Sequence, residues 1–140
     1  MTETRIIQGD AAMQAYGESL ASRFRDGQLV FVRGNLGAGK TTLIRGILQG
    51  MGHAGSVPSP TYTLLEPYDI HGRQVVHMDL YRLKDMDELE NLGVRDFIGI
   101  SLCFIEWPER AERLLPKPDW EIDISHQDDA RQVCLTGPAV

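Results

Sequence analysis

Apolar residues follow two rhythms along this chain, and the change from one to the other falls on a short Gly-rich segment. Leu29-Val30-Phe31-Val32 is a continuous apolar run, the pattern of a strand buried on both faces. From Thr41 onward, Leu43, Ile44, Ile47, Leu48 and Met51 recur at helical spacing. An earlier helix starts at Asp10 as its N-cap, carries Met13, Tyr16, Leu20 and Phe24 on its apolar stripe, and stops at Gly27. Val57-Pro58-Ser59-Pro60-Thr61 is extended or turned, because two prolines forbid a helix there. Residues 62–68 and 74–79 read as strands joined by the hairpin connection Asp69-Ile70-His71-Gly72. The stretch 84–97 is acidic and partly helical, and 102–106 is a short buried strand. Pro108, at a first-turn position, opens a helix reaching Leu115, and strands at 120–124 and 132–135 close the chain around a polar turn. No repeat or linker interrupts this order. It predicts one domain over residues 1–140, of the α/β class, with helices packed on a mixed sheet.

The segment between the two rhythms is Gly34-Asn35-Leu36-Gly37-Ala38-Gly39-Lys40-Thr41, which fits the phosphate-loop pattern G-x-x-x-x-G-K-[ST]. Its context is the required one, with a strand before it and a helix after. Unpaired N–H groups and the positive end of the helix dipole favour phosphate at such a junction. The glycines let the backbone wrap closely, Lys40 can neutralise the β- and γ-phosphates, and the Thr41 hydroxyl can serve Mg²⁺. The dinucleotide fingerprint G-x-G-x-x-G fails, since Thr42 stands where its third glycine belongs. The expected fold is therefore a P-loop NTPase-like mixed β-sheet flanked by helices.

Hydrolysis needs more than a phosphate loop. It needs a carboxylate at the carboxyl end of a neighbouring strand, to hold Mg²⁺ or its waters. Two apolar runs end that way: Val75-Val76-His77-Met78 leads into Asp79, and Leu102-Cys103-Phe104-Ile105 leads into Glu106. Strands also end in surface charges with no such task, but two of the same form beside a phosphate loop favour the metal. Ser59-Pro60-Thr61 is either a nucleotide-sensing switch segment or a stiff turn leading into a strand. The guanine-reading pattern N-K-x-D is missing: Pro116-Lys117-Pro118-Asp119 has proline in place of the asparagine. ATP is the nucleotide this favours. A small P-loop kinase would need an arginine-bearing lid and an acceptor site, and the chain has no clear insertion for them.

Composition narrows the setting. A hydrophobic content of 42% with 24% charged residues is that of an ordinary soluble protein. The net charge of −6 opposes direct gripping of nucleic acid, so an RNA role would run through partners. No apolar run approaches the roughly 20 residues that span a membrane. Residues 1–10 lack the apolar core of a signal peptide, so a cytoplasmic location is expected. Cys103 and Cys134 lie in apolar strand-like runs and read as buried reduced thiols, while the four histidines show no metal-ligand spacing.

Together, G-N-L-G-A-G-K-T-T, S-P-T-Y-T-L, H-M-D-L-Y-R-L and I-E-W-P resemble the TsaE family, the small bacterial ATPases of tRNA threonylcarbamoyladenosine biosynthesis. The likeness covers nearly the whole chain, in order and at matching separations. It implies a P-loop α/β domain that binds ATP with Mg²⁺ and hydrolyses it, slowly when alone. It implies as partners a tRNA threonylcarbamoyl transferase of the Kae1 type and its catalytically silent relative, which together modify N6 of adenosine 37 in tRNAs reading ANN codons. Gly37, Ala38, Gly39, Lys40, Thr41 and Thr42 match the family's phosphate loop, Thr41 and Glu106 its Mg²⁺ ligands, and Asp79 its strand-end acid needed for hydrolysis. Ser59 and Thr61 match the switch-like segment, and Trp107 the tryptophan after the glutamate. The adenine is expected between Asp10 and the C-terminal strands near Arg131. Asn35 departs from the family, which often has an acid there; the change alters local charge ahead of the phosphate-holding glycines. Two other functions compete with the ATPase: a nucleotide-gated assembly module without essential hydrolysis, and a small kinase.

Overall fold

The computed structural model describes residues 1–138. Seven strands form one sheet: β1 (Thr2–Ile7), β2 (Leu29–Arg33), β3 (Leu65–Ile70), β4 (Arg73–Asp79), β5 (Leu102–Glu106), β6 (Trp120–Gln127) and β7 (Ala130–Thr136). Their spatial order is β1-β7-β6-β2-β5-β4-β3. The four middle strands, β6, β2, β5 and β4, run parallel, and antiparallel partners finish both edges. Four α-helices connect them: α1 (Asp10–Leu20), α2 (Lys40–Gly50), α3 (Met86–Asn91) and α4 (Val94–Phe97).

The unbroken apolar runs of β2 and β5 follow from burial on both sides. Val30, Val32, Leu102 and Phe104 belong to one core with Met13, Leu20, Leu43 and Ile47 from α1 and α2. Leu29, Phe31, Cys103 and Ile105 belong to a second core with Leu89 of α3, Val94 of α4, Ala111 and Leu115. Strand alternation thus splits each run between two layers.

Helices α1 and α2 pack without side chains between them at two points. A Cβ on Gly46 would overlap the carbonyl oxygen of Gln14, and one on Gly17 would overlap that of Leu43. Only glycine permits this approach.

Several expectations shift. Asp10 is the first residue of α1 rather than its cap; Gly9, at φ 87°, occupies the cap position, and α1 ends at Leu20 with a single 3-10 turn after it. Residues 62–64 form a turn instead of starting β3: the N–H of Leu64 donates to the Pro60 carbonyl at 2.6 Å, and Leu64 adopts φ 67°. The hairpin turns on His71 and Gly72 alone, both at positive φ. The helix expected from Pro108 shrinks to one 3-10 turn, Pro108–Arg110, because Trp107 before it is left-handed at φ 58° and Ala111 leaves helical geometry. Strand β1 was not expected at all. Of the two cysteines, Cys103 is buried, its thiol pushed up to about 12 by burial, whereas Cys134 is only half-buried.

Candidate active site

The loop from Gly34 to Gly39 leaves the carboxyl end of central strand β2 and delivers its chain to the start of α2. Gly39 caps that helix in the left-handed region at φ 104°, and Gly37 sits at φ 76°, conformations open to glycine at little cost. Lys40, 6% exposed, turns its ammonium back onto the loop, donating to the carbonyls of Gly34 at 2.5 Å and Asn35 at 2.9 Å. The same ammonium lies 4.6 Å from the centroid of the Trp107 ring. Burial pushes the Lys40 pKa down, against the pull of Glu106 and Asp79.

Sheet register sets the acids. Asp79 pairs with Glu106 across β4 and β5, so the two strand tips end level, next to the tip of β2 where Val32 pairs with Glu106. Alternation from Phe104 and Val75 puts Glu106, His77 and Asp79 on the sheet face that α1 and α2 cover. Glu106, 2% exposed, accepts a hydrogen bond at Oε2 from the Thr41 hydroxyl at 2.9 Å. Asp79, 4% exposed, accepts at Oδ2 from Thr61 Oγ1 at 3.1 Å and at Oδ1 from the Tyr81 N–H at 3.0 Å. Thr61 also meets Ser59 Oγ at 2.7 Å. Burial raises the Asp79 pKa, with Glu106 adding to the effect and the Tyr81 N–H and Thr61 hydroxyl opposing it.

These groups surround one cleft of about 620 Å³, lined by Asp10, the loop from Leu36 to Thr42, Ser59, Thr61, Asp79, Tyr81, Arg82, Glu106 and Trp107. Arg131 lies just beside it. It lines a neighbouring pocket of about 110 Å³ with Asp10, Met13 and the loop glycines, and its Nη2 sits 3.4 Å from the Gly37 carbonyl. Every site residue singled out from the sequence therefore falls in these two adjoining spaces. Three participants were missed: Tyr81 and Arg82, which line the cleft, and His77, whose Nε2 lies 2.6 Å from Glu106 Oε2 inside the protein. The signal for His77 was present, as the lone polar residue in the apolar run of β4.

The donor set suits a polyanion carried with a hard cation. The Thr41 hydroxyl and Glu106 carboxylate bring two oxygens together, while among the described residues no cluster of three or more His, Cys, Asp or Glu could hold a metal alone. Mg²⁺ favours that economy, taking one or two protein oxygens and completing its shell with phosphates and water.

A mixed sheet whose central strand leads through this loop into a helix, with acids level on the adjacent strand tips, defines a protein of the P-loop NTPase-like α/β class. The sequence profile described as "Threonylcarbamoyl adenosine biosynthesis protein TsaE" matches residues 7–133. The chain belongs to the TsaE family. A "tRNA threonylcarbamoyladenosine biosynthesis protein TsaE" of Haemophilus influenzae is 45% identical over 138 residues, covering 94% of this chain and 87% of its own. Its counterpart from Bacillus subtilis is 34% identical over 125 residues, covering 88% and 78%. The crystal structure of Bacillus subtilis YdiB superposes with a TM-score of 0.79 at 27% identity, covering 99% of this chain and 87% of that one.

Proposed function

We propose that this chain is an ATPase that binds ATP and Mg²⁺ in the cleft and serves the formation of threonylcarbamoyl on N6 of adenosine 37 in tRNAs reading ANN codons. The carrying observation is the convergence of Lys40, Thr41, Thr61, Asp79 and Glu106 on one cleft at the strand ends. The relatives' names carry the biosynthetic part.

In this function the loop N–H groups from Gly37 to Thr42 and the Lys40 ammonium hold the phosphates. Thr41 and Glu106 would hold Mg²⁺, which would supply neutralisation of phosphate charge. Asp79 orients the attacking water, and Thr61 fixes the carboxylate through the bond at Oδ2. Asp10 and Arg131 flank the base side. The chain acts with a Kae1-type transferase and its catalytically silent relative, and meets tRNA only through them. Its net charge of −6 supports that indirect route. Among the described residues no helix is long and apolar enough to cross a membrane.

The test is a reconstituted modification reaction with and without the chain, run beside phosphate release by the chain alone. Modification that is indifferent to the chain over many turnovers refutes the assignment. The gated-assembly alternative draws on the Thr61–Asp79 bond, which ties an exposed-rim segment to the cleft. It predicts that a hydrolysis-dead, ATP-binding variant supports full multi-turnover modification.

A further inference from the structure

Arg82 is the second cation of the cleft, and the geometry around it gives it a task. Among the described residues two side-chain cations line the cleft, Lys40 and Arg82, against the carboxylates of Asp10, Asp79 and Glu106. Lys40 is engaged by the loop's own carbonyls. Arg82 forms no ion pair with a carboxylate among the described residues. Its guanidinium instead lies over the Tyr62 ring, 4.5 Å from the centroid, with Nη2 3.4 Å from the phenol oxygen. Tyr62 is 80% exposed, so this contact is made at the surface and not in the core. Both residues neighbour fixed points: Tyr62 follows Thr61, which bonds to Asp79, and Arg82 follows Tyr81, whose N–H bonds to Asp79.

The contact places the guanidinium carbon over the ring and engages one Nη2–H, and the other guanidinium N–H donors have no partner among the described residues. Charge calls for such a donor. A nucleoside triphosphate with one divalent cation stays negative, and the Asp79 and Glu106 carboxylates add to that, while Lys40 and the α2 dipole offset only part of the sum. We propose that Arg82 reads the terminal phosphate of the bound nucleotide, and that Tyr62 is a positioning residue that holds the guanidinium over the cleft by stacking. This rests on the ATPase function above and adds a specificity determinant to it: a cation that separates triphosphate from diphosphate. Because Tyr62 belongs to the 59–64 turn, the same contact couples the terminal phosphate to the rim of the cleft.

Calorimetry with a non-hydrolysable ATP analogue and with ADP, each with Mg²⁺, tests it on wild type, Arg82→Ala, Arg82→Lys, Tyr62→Ala and Tyr62→Phe. Both residues are exposed, so the variants fold, and circular dichroism verifies that. The expected result is a loss of about tenfold or more in analogue affinity for Arg82→Ala with ADP affinity unchanged, since one charge-assisted contact is removed. Arg82→Lys should recover part of the binding but not turnover, because an ammonium neither stacks nor forks. Tyr62→Phe keeps the ring and should match wild type, whereas Tyr62→Ala should move in the direction of Arg82→Ala. Parallel losses for analogue and ADP, an unchanged analogue-to-ADP ratio in Arg82→Ala, or wild type binding both equally would overturn the proposal while leaving the ATPase in place. Wild type that binds neither nucleotide overturns the ATPase itself.

Discussion

Nε2 of His77 lies 2.6 Å from Oε2 of Glu106, with the histidine wholly buried and the glutamate nearly so. The same carboxylate oxygen receives the Thr41 hydroxyl, so one atom joins β4, β5 and α2. Nδ1 of His77 has no partner among the described residues. A tautomer with its hydrogen on Nε2 leaves only an acceptor unpaired there, a smaller cost than an orphaned N–H.

His77→Phe should therefore cost about 1–3 kcal/mol of stability, by leaving Glu106 with one fewer donor in a buried setting. It should also weaken the Mg²⁺ dependence of nucleotide binding, because outer-shell partners hold a ligand's orientation. His77→Gln, which can still donate, should recover much of both. Thermal melts and magnesium titrations followed by calorimetry check this. Equal behaviour of Phe and Gln would assign His77 to packing alone.

Asp79 gives a pH-dependent expectation. Its pKa is raised by burial above the ordinary 3.8, so the folded protein holds that proton more tightly than the unfolded chain does. The associated stability is fully present below the ordinary value and is lost as pH rises through the raised one. Asp79→Asn, uncharged throughout, should melt above wild type at neutral pH, and the gap should close as pH falls through the raised value toward 3.8. Its turnover should be suppressed with nucleotide binding retained, whereas Glu106→Ala should weaken the Mg²⁺-dependent binding itself. The opposite pattern would exchange the two roles.

Much of this site was legible because local chemistry and global burial agree. The loop, β2 and α2 share one pattern read three ways: buried run, Gly-rich turn, helical stripe. Asp79 and Glu106 were legible as acids ending apolar runs, although their level pairing is a register fact. Strand β1 was not legible, because it lies on a sheet edge and buries only Ile7 among residues 2–7. Its pairing with β7 is carried by backbone groups, which leave no apolar alternation to read. The helix after Pro108 was over-read for a related reason. Ala111 and Leu115 have helical spacing and are both buried, yet they reach the core from a turn, while Glu109 and Glu112 reach across to Arg33. Tyr62–Arg82 was invisible because stacking across 20 positions has no sequence period.

Lys40→Ala should remove most ATP affinity, since the loop N–H groups cannot replace its charge. It also frees the carbonyls of Gly34 and Asn35 from their donor. Calorimetry is the check, and affinity within about twofold of wild type would refute the phosphate site.

Gly46→Ala should destabilise the fold by about 2–3 kcal/mol even though alanine favours helix, because its Cβ would meet backbone of α1 that cannot rotate away. A melting temperature at or above wild type would show that the helices part more easily than their spacing implies. Gly72→Ala is a control for left-handed strain without a clash, since open space surrounds that position.

The backbone-to-backbone seam of α1 and α2 makes those helices a single beam. Asp10 stands at one end of it and Lys40, Thr41 and Thr42 stand at the same end of the other member, so the Asp10 side and the Lys40 side of the cleft keep a fixed gauge. A ligand too short or too long for that gauge cannot be accommodated by spreading the helices. Adjustment is left to the opposite wall, where the 59–64 turn is secured to Asp79 by a hydroxyl and by the bond from the Asp79 N–H to the Leu64 carbonyl. Rigidity on one side thereby directs whatever motion the cleft makes into the other, toward Tyr62 and the surface around it.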